Sequence, residues 1–116
     1  MAMEIKEFKL NDGTFLRYKK IGKGDPILLL HTFRNRLEYS DKLGELLKKE
    51  FTVFSIDLPG FGDSPINTKT VYDLNFFTSS IVNFIKSQKV KNLAIAGESI
   101  GATLAASVST QLPKTV

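Results

Sequence analysis

A serine that has a glycine two residues before it and another two residues after it is the feature of this sequence best suited to chemistry. The five residues are Gly97, Glu98, Ser99, Ile100 and Gly101. This pattern predicts a sharp turn between a strand and a helix, in which side chains at Gly97 and Gly101 would collide with neighbouring backbone. Such a turn lifts the Ser99 hydroxyl above the sheet edge and aims the Ile100 N–H at a developing oxyanion. We therefore predict that Ser99 is a nucleophile; an ordinary tight turn is the alternative.

The elements around this serine follow a regular order of apolar strands and amphipathic helices. The predicted strands cover residues 5–10, 14–21, 27–30, 51–56 and 93–96, and the predicted helices cover residues 37–49, 70–85 and 100–111. A turn at 11–13 joins the first two strands as a hairpin. Alternation of buried strands with helices indicates an α/β fold with a mostly parallel sheet and helices on both faces. We find no boundary of a second domain, so one domain is predicted for residues 1–116.

Two of the predicted helices carry more detailed signals. Four apolar residues recur at helical spacing in the segment 37–49, which predicts its buried face. They are Tyr39, Leu43, Leu46 and Leu47. In the predicted helix 70–85, Thr70 and Asp73 are three residues apart, which is the spacing of a hydroxyl and a carboxylate that together cap the start of a helix.

Three segments, in this order along the chain, resemble motifs of the α/β-hydrolase family. Residues 31–33, His-Thr-Phe, are similar to the family's His-Gly-x oxyanion loop, with Thr32 where the family usually has glycine. Residues 57–64 match its D-x-x-G-x-G-x-S loop, and residues 97–101 match its nucleophile elbow. The resemblance implies that Ser99 is the nucleophile of a serine hydrolase. It also implies that the backbone N–H groups of Ile100 and Phe33 are the oxyanion donors.

The remaining polar residues of these motifs have two interpretations each. His31 is the only histidine, and it precedes the serine, whereas the family's triad runs serine, acid, histidine. We therefore predict that His31 supports its loop, with a role as general base as the alternative. Asp57 is predicted to brace the glycine-rich loop and not to be the triad acid. Glu98 is predicted to be solvated or to contact a nearby loop.

Two arginines and three phenylalanines lie close to these motifs in the sequence. Arg34 and Arg36 could grip an anionic substrate, although plain solvent exposure is the commoner fate of arginine. Phe61, Phe76 and Phe77 could line an acyl pocket, although packing in the core is the commoner fate of aromatic residues.

Composition excludes several classes of function. The chain has no cysteine, which excludes disulfides and thiolate metal sites, and we predict neither a metal nor a cofactor. Its net charge of +4 comes from lysines scattered at the edges of apolar elements, so we predict no nucleic-acid binding. The longest apolar stretch, 26–30, is far too short to span a membrane. No apolar run near the N-terminus resembles a signal peptide, and we expect a cytoplasmic location without membrane association.

No histidine follows Ser99, and a serine hydroxyl needs a base to become a good nucleophile. The resemblance therefore implies the N-terminal part of a hydrolase for a small-molecule acyl substrate, present as a fragment. In the family's sheet the strand at 91–96 would pair with the third strand and leave its other edge open. We expect this edge to cause self-association or to accept a complementing C-terminal segment.

Two other functions remain as alternatives. Without a second histidine, the chain could be a catalytically dead remnant that acts as a binding or assembly module. A nucleotide-binding domain is the other alternative, but residues 60–62, Gly-Phe-Gly, lack the third glycine of the dinucleotide fingerprint.

Overall fold

The computed structural model describes residues 5–116 as a five-stranded sheet with helices on both faces. The strands are β1 (Ile5–Lys9), β2 (Phe15–Gly22), β3 (Asp25–Leu30), β4 (Phe51–Ile56) and β5 (Ala94–Gly97), and the α-helices are α1 (Asp41–Leu47), α2 (Leu74–Gln88) and α3 (Ile100–Gln111). The strand order is β1-β2-β4-β3-β5. The hairpin β1–β2 and the pair β2–β4 are antiparallel, whereas β3 is parallel to both β4 and β5. The predicted α/β fold class is confirmed.

Alternation of side chains along the central strands gives the sheet two apolar faces. On one face, Leu28 of β3 and Phe54 of β4 belong to the main core together with residues of α2 and α3. On the other face, Val53 of β4 lies against Gly44 of α1. Because β3 and β4 are covered on both sides, their sequences are mostly apolar and do not alternate regularly between apolar and polar residues. Buried strands of this kind hold the loops at their carboxyl ends in fixed positions.

The buried face of the first helical segment differs from the predicted one. Tyr39, Leu43 and Leu46 are 51%, 46% and 78% exposed. Ser40 and Gly44 are buried instead, because small residues four positions apart let the helix approach the sheet closely. The segment also begins as a 3₁₀ turn, Leu37–Ser40, and α1 ends at Leu47, two residues before the predicted end.

The start of α2 also differs from its prediction. The helix begins at Leu74, and Asp73 is its N-cap, with the carboxylate accepting a hydrogen bond of 2.8 Å from the Phe76 N–H. Thr70 lies outside the helix, and its hydroxyl donates to the Asp12 carboxylate in the β1–β2 turn at 2.7 Å. The spacing of Thr70 and Asp73 therefore reflects two separate contacts. A single aspartate caps the helix without the hydroxyl.

The strand β5 lies at one edge of the sheet formed by residues 5–116. Its pairing with β3 runs from Ile27–Ala94 to Leu30–Gly97, and no described strand pairs with its other edge. A groove of about 360 Å³ separates β5 from α1 and is lined in part by Tyr39, Leu43 and Ala96. The open backbone edge and the exposed apolar residues of α1 thus form one continuous surface.

Within the described residues, no helix combines the length and the apolar character needed to cross a membrane.

The open edge of β5 is a surface through which two copies of the chain could pair. We expect the 116-residue chain to self-associate through this edge, because unpaired strand backbone and exposed apolar side chains favour pairing with another chain. A lysine at the exposed position Ala94 should reduce the association, since edge lysines oppose strand addition. Light scattering after size exclusion should give a lower mass for Ala94→Lys than for the parent at the same concentration. Ser79→Lys, at an exposed position of α2, is the matched control and should associate like the parent.

Candidate active site

Ser99 lies at the bend between β5 and α3, with its side chain exposed to solvent. Its backbone angles are φ 58° and ψ −118°, a conformation that non-glycine residues rarely adopt. Such strain costs on the order of 1–3 kcal/mol and persists only where the surrounding structure enforces it. The bend ends the strand at Gly97 and begins the helix at Ile100, so that Ser99 projects from the carboxyl edge of the sheet.

Close approaches of backbone at the two flanking glycines enforce this bend. A Cβ atom on Gly97 would overlap the backbone of Gly101 and Ala102. A Cβ atom on Gly101 would lie 2.6 Å from the carbonyl oxygen of Leu30 and 3.1 Å from that of His31. Any side chain at either position would therefore force the start of α3 away from the ends of β3 and β5.

The loop after β3 lies beside this bend because Leu30 is in register with Gly97. The loop contains Phe33, which is exposed, and Arg34, which has a positive φ of 60°. Neither the Phe33 N–H nor the Ile100 N–H donates to an acceptor within residues 5–116. The Ile100 N–H is one of the N–H groups that a helix leaves without a partner at its first turn. Two unsatisfied N–H groups on neighbouring loops could together bind an oxyanion.

His31 is buried, with only 1% of its surface exposed, and both ring nitrogens are engaged. Its Nε2 accepts a hydrogen bond of 2.8 Å from the Leu58 N–H. Its Nδ1 therefore carries the proton and donates to the Thr32 carbonyl oxygen at 2.6 Å. Burial lowers the pKa of His31, although the bond to Thr32 and the Asp57 carboxylate act in the opposite direction. A neutral imidazole with both nitrogens occupied has no lone pair available for the Ser99 proton.

Asp57 is a fully buried carboxylate that joins three parts of the fold. It accepts hydrogen bonds from Arg17 Nε on β2 at 2.9 Å, from the Leu37 N–H at 2.8 Å and from the Asp63 N–H at 2.9 Å. The guanidinium of Arg17 also binds both carboxylate oxygens of Glu38, at 2.7 and 2.9 Å. The hairpin, the segment after the β3 loop and the glycine-rich loop are thus held by one charge network.

Sequence reasoning missed Arg17 and Glu38 as members of this network. In the sequence, Arg17 alternates with apolar residues of a strand, a pattern typical of a solvent-facing side chain. Its pairing with Asp57 is set by the register of β2 against β4, which local sequence does not reveal. The hydrogen bond to Asp57 raises the pKa of Arg17 above its usual value, which keeps the guanidinium charged.

The other predicted polar residues lie around this edge of the sheet. Glu98 is exposed and accepts a hydrogen bond of 2.8 Å from the Tyr39 hydroxyl, which raises the pKa of Tyr39. Arg36 lies 3.7 Å from the Asp63 carboxylate, and both side chains are at least half exposed. Arg34 is exposed at the tip of the loop after β3.

The three phenylalanines named in the sequence have different positions. Phe61 and Phe77 line an apolar cavity beside the loop after β3. Phe76 packs instead edge-on against Tyr72, with ring centroids 5.2 Å apart.

Comparison with known proteins identifies the family. The sequence pattern of the alpha/beta hydrolase fold matches residues 25–116. This range includes the loop after β3, the glycine-rich loop 57–64 (the Asp57 loop) and the bend at Ser99. The chain belongs to the α/β-hydrolase family. The family inferred from three short motifs is thereby confirmed, and the described strand order places those motifs at one edge of the sheet.

Relatives within the α/β-hydrolase family are similar over part of their length. The pimeloyl-acyl-carrier-protein methyl ester esterase of Pseudoalteromonas atlantica is 28% identical over 103 residues, which cover 89% of this chain and 38% of that protein. The crystal structure of a membrane phospholipase A, described as a bacterial virulence factor, matches with a TM-score of 0.90 and 26% identity, covering 98% of this chain and 37% of that one. An α/β-hydrolase from Novosphingobium aromaticivorans has a TM-score of 0.91 at 19% identity, over 100% of this chain and 42% of that one, and shows the same fold. The chain spans 32% to 43% of the length of the curated relatives it matches.

The buried neutral His31 makes stability depend on pH in a defined direction. Because the folded-state pKa is lowered, the unfolded chain takes up a proton that the folded chain does not as the pH falls through about 6.5. The contribution of His31 is therefore fully present above about pH 7 and is lost at lower pH. We expect the free energy of unfolding to fall below about pH 6.5 by up to about 1.4 kcal/mol per pH unit.

Urea denaturation at pH values between about 5 and 8 measures this dependence. His31→Gln should flatten the dependence, because its amide does not titrate and its carbonyl oxygen can still accept from the Leu58 N–H. Asp12, whose pKa is lowered from 3.8, affects stability only at lower pH and leaves this window undisturbed. An equal slope in parent and His31→Gln would contradict the assignment.

Removal of Arg17 tests the charge network around Asp57. Arg17→Met keeps much of the side-chain volume and leaves a buried carboxylate without its cation, which should lower the free energy of unfolding by on the order of 3 kcal/mol. Lys6→Met, at an exposed position of β1, is the control and should change stability by less than about 0.5 kcal/mol. Equal urea midpoints for the two variants would show that Arg17 is dispensable.

Proposed function

We propose that the protein is a serine hydrolase that cleaves carboxylic esters, thioesters or similar acyl substrates through an acyl-enzyme on Ser99. One observation carries the proposal. An exposed serine occupies a strained bend at the carboxyl ends of the parallel strands β3 and β5. The N–H groups of Ile100, the next residue, and of Phe33, on the loop after β3, have no acceptor within residues 5–116. A nucleophile and oxyanion donors in this arrangement suit attack on a carbonyl carbon.

The proposed chemistry has two steps. In the first, Ser99 Oγ loses its proton to a base and bonds to the carbonyl carbon, and the oxyanion that forms is bound by the N–H groups of Ile100 and Phe33. The leaving group departs with a proton, and an ester bond to Ser99 remains. In the second step, water attacks this ester and releases the carboxylic acid. Because both ring nitrogens of His31 are hydrogen-bonded, this residue is unsuited to the role of base. We therefore place the base and its partner acid outside residues 5–116.

The names of related proteins support hydrolysis of esters. One relative is named as a methyl ester esterase and one similar structure as a phospholipase A. An esterase cleaves an ester, which is one of the substrate classes proposed for Ser99.

A second candidate is a binding or assembly module without catalysis. His31 is the only histidine of the sequence, and its two nitrogens are occupied by Leu58 and Thr32. If no base reaches Ser99, the bend would remain as a structural relic, and the open edge of β5 would be the functional surface.

Reaction with a fluorophosphonate probe tests whether Ser99 and the N–H groups of Ile100 and Phe33 form a reactive site. Oxyanion donors contribute to reactivity even when the base is absent, by about a hundredfold. We therefore expect Ser99 to be phosphonylated about a hundredfold faster than Ser79, an exposed serine of the same chain, as measured by peptide mass spectrometry. Ser99→Ala should abolish the fast reaction and leave the reaction of Ser79 unchanged. Equal rates at both serines would favour the module without catalysis.

A further inference from the structure

An apolar cavity of about 270 Å³ opens beside the loop that follows β3. Its main lining residues are Phe33, Pro59, Phe61, Ile66, Tyr72 and Phe77. Among residues 5–116, no charged side chain lines the cavity. The hydroxyl of Tyr72 is the one polar side-chain atom among these residues, and it accepts a hydrogen bond of 2.9 Å from the Asn67 N–H. The cavity therefore offers an almost purely apolar surface to a ligand.

The rim of this cavity exposes large apolar side chains. Phe33 is 52% exposed and Ile66 is 67% exposed, whereas Phe77 at the floor is only 4% exposed. Clustered apolar side chains at a surface cost solvation free energy, and such clusters commonly mark ligand-binding sites. A bound apolar group would cover the rim and extend toward the buried floor.

Ring contacts hold the wall of the cavity in place. Phe61 lies between Phe33 and Phe77, with ring centroids 5.5 and 6.3 Å away. Tyr72 lies 6.0 Å from Phe77 by the same measure. The segment that carries Ile66 and Tyr72 is tied to the β1–β2 turn by the Thr70 hydroxyl. A preformed wall binds a ligand without a large cost of ordering side chains.

Phe33 connects the cavity to the proposed reacting centre. Its ring forms the rim, and its backbone N–H is the proposed oxyanion donor. Because the ring and the N–H belong to one residue, a carbonyl oxygen bound at that N–H would bring a substituent of the carbonyl carbon close to the mouth of the cavity. The ring of His31, which precedes this loop, also lies 6.0 Å from Phe61.

We propose that this cavity binds the straight apolar acyl chain of the substrate, an inference that rests on the proposed hydrolase function. At roughly 30 Å³ for each heavy atom, about the share of one water molecule in the liquid, the volume accommodates about eight or nine carbon atoms. The substrate class is accordingly esters or thioesters of short and medium-length fatty acids. Ile66 and Phe61 then determine specificity for the chain, and neither takes part in bond making.

Binding of fatty carboxylates, which mimic the acyl product, tests the proposal without requiring catalysis. Isothermal titration of the protein should give a Kd that falls about fourfold for each added methylene from butanoate to octanoate. The gain should stop beyond about nine carbons, where the chain outgrows the cavity. A Kd that does not depend on chain length would overturn the proposal.

Two matched variants on the same loop locate the site. Ile66→Asn should weaken octanoate binding about tenfold, because it places an amide at the rim. Val71→Asn changes a β-branched residue that is 73% exposed and does not line the cavity, and it should bind octanoate like the parent. Equal losses in both variants would overturn the assignment of Ile66 to the rim.

Two further experiments distinguish binding of the acyl chain from binding of the alcohol part of an ester, and ligand binding from the reaction at Ser99. Octanoate should shift the amide NMR resonance of Ile100, which does not line the cavity, whereas octan-1-ol should leave it in place; equal shifts would overturn the acyl assignment. Ser99→Ala should bind octanoate normally while losing the fast phosphonylation. Chain-length-dependent binding without reaction at Ser99 would therefore refute the proposed hydrolase and leave the cavity as a fatty-acyl site. Reaction at Ser99 without chain-length dependence would refute only the cavity proposal.

Discussion

The close packing of the start of α3 against the ends of β3 and β5 is the constraint on which this site depends. Gly101 lies so near the Leu30 carbonyl oxygen that no side chain fits between them. The chain must therefore turn sharply at Ser99, which takes a positive φ that would otherwise be unfavourable. Packing of Leu104 and Val108, both fully buried in the core, offsets this local strain. The reactive geometry is thus a consequence of helix-to-sheet packing.

A second constraint is electrostatic and acts on the neighbouring loops. Asp57 is buried and satisfied by one guanidinium and two backbone N–H groups. His31 is buried as a neutral ring that joins the loop after β3 to the Asp57 loop through Leu58. Buried polar groups with every partner present limit the conformations available to both loops. The proposed oxyanion donor Phe33 and the aromatic wall containing Phe61 belong to these same loops.

Much of this arrangement could be predicted from the sequence, and the errors have physical causes. Apolar runs located β3, β4 and β5, the turn at 11–13 located the hairpin β1–β2, and the glycine pattern located the bend at Ser99, because all three signals depend on residues close in sequence. The predicted buried face of the first helical segment was wrong. Ser40 and Gly44 are four positions apart, as residues on one face of a helix are, and close approach to the sheet favours these small residues over Leu43. Arg17 was missed because its partner lies forty positions away and is set by strand register. The exposure of Phe33 likewise depends on a loop conformation that no short motif encodes.

A crystal structure of the protein after reaction with a fluorophosphonate would show whether Ser99 and the two N–H groups form one oxyanion-binding site. We expect phosphorus bonded to Ser99 Oγ, with the phosphoryl oxygen within about 2.7–3.1 Å of the backbone nitrogens of Ile100 and Phe33. Adduct formation at another residue, or a phosphoryl oxygen that points into solvent away from both nitrogens, would contradict it.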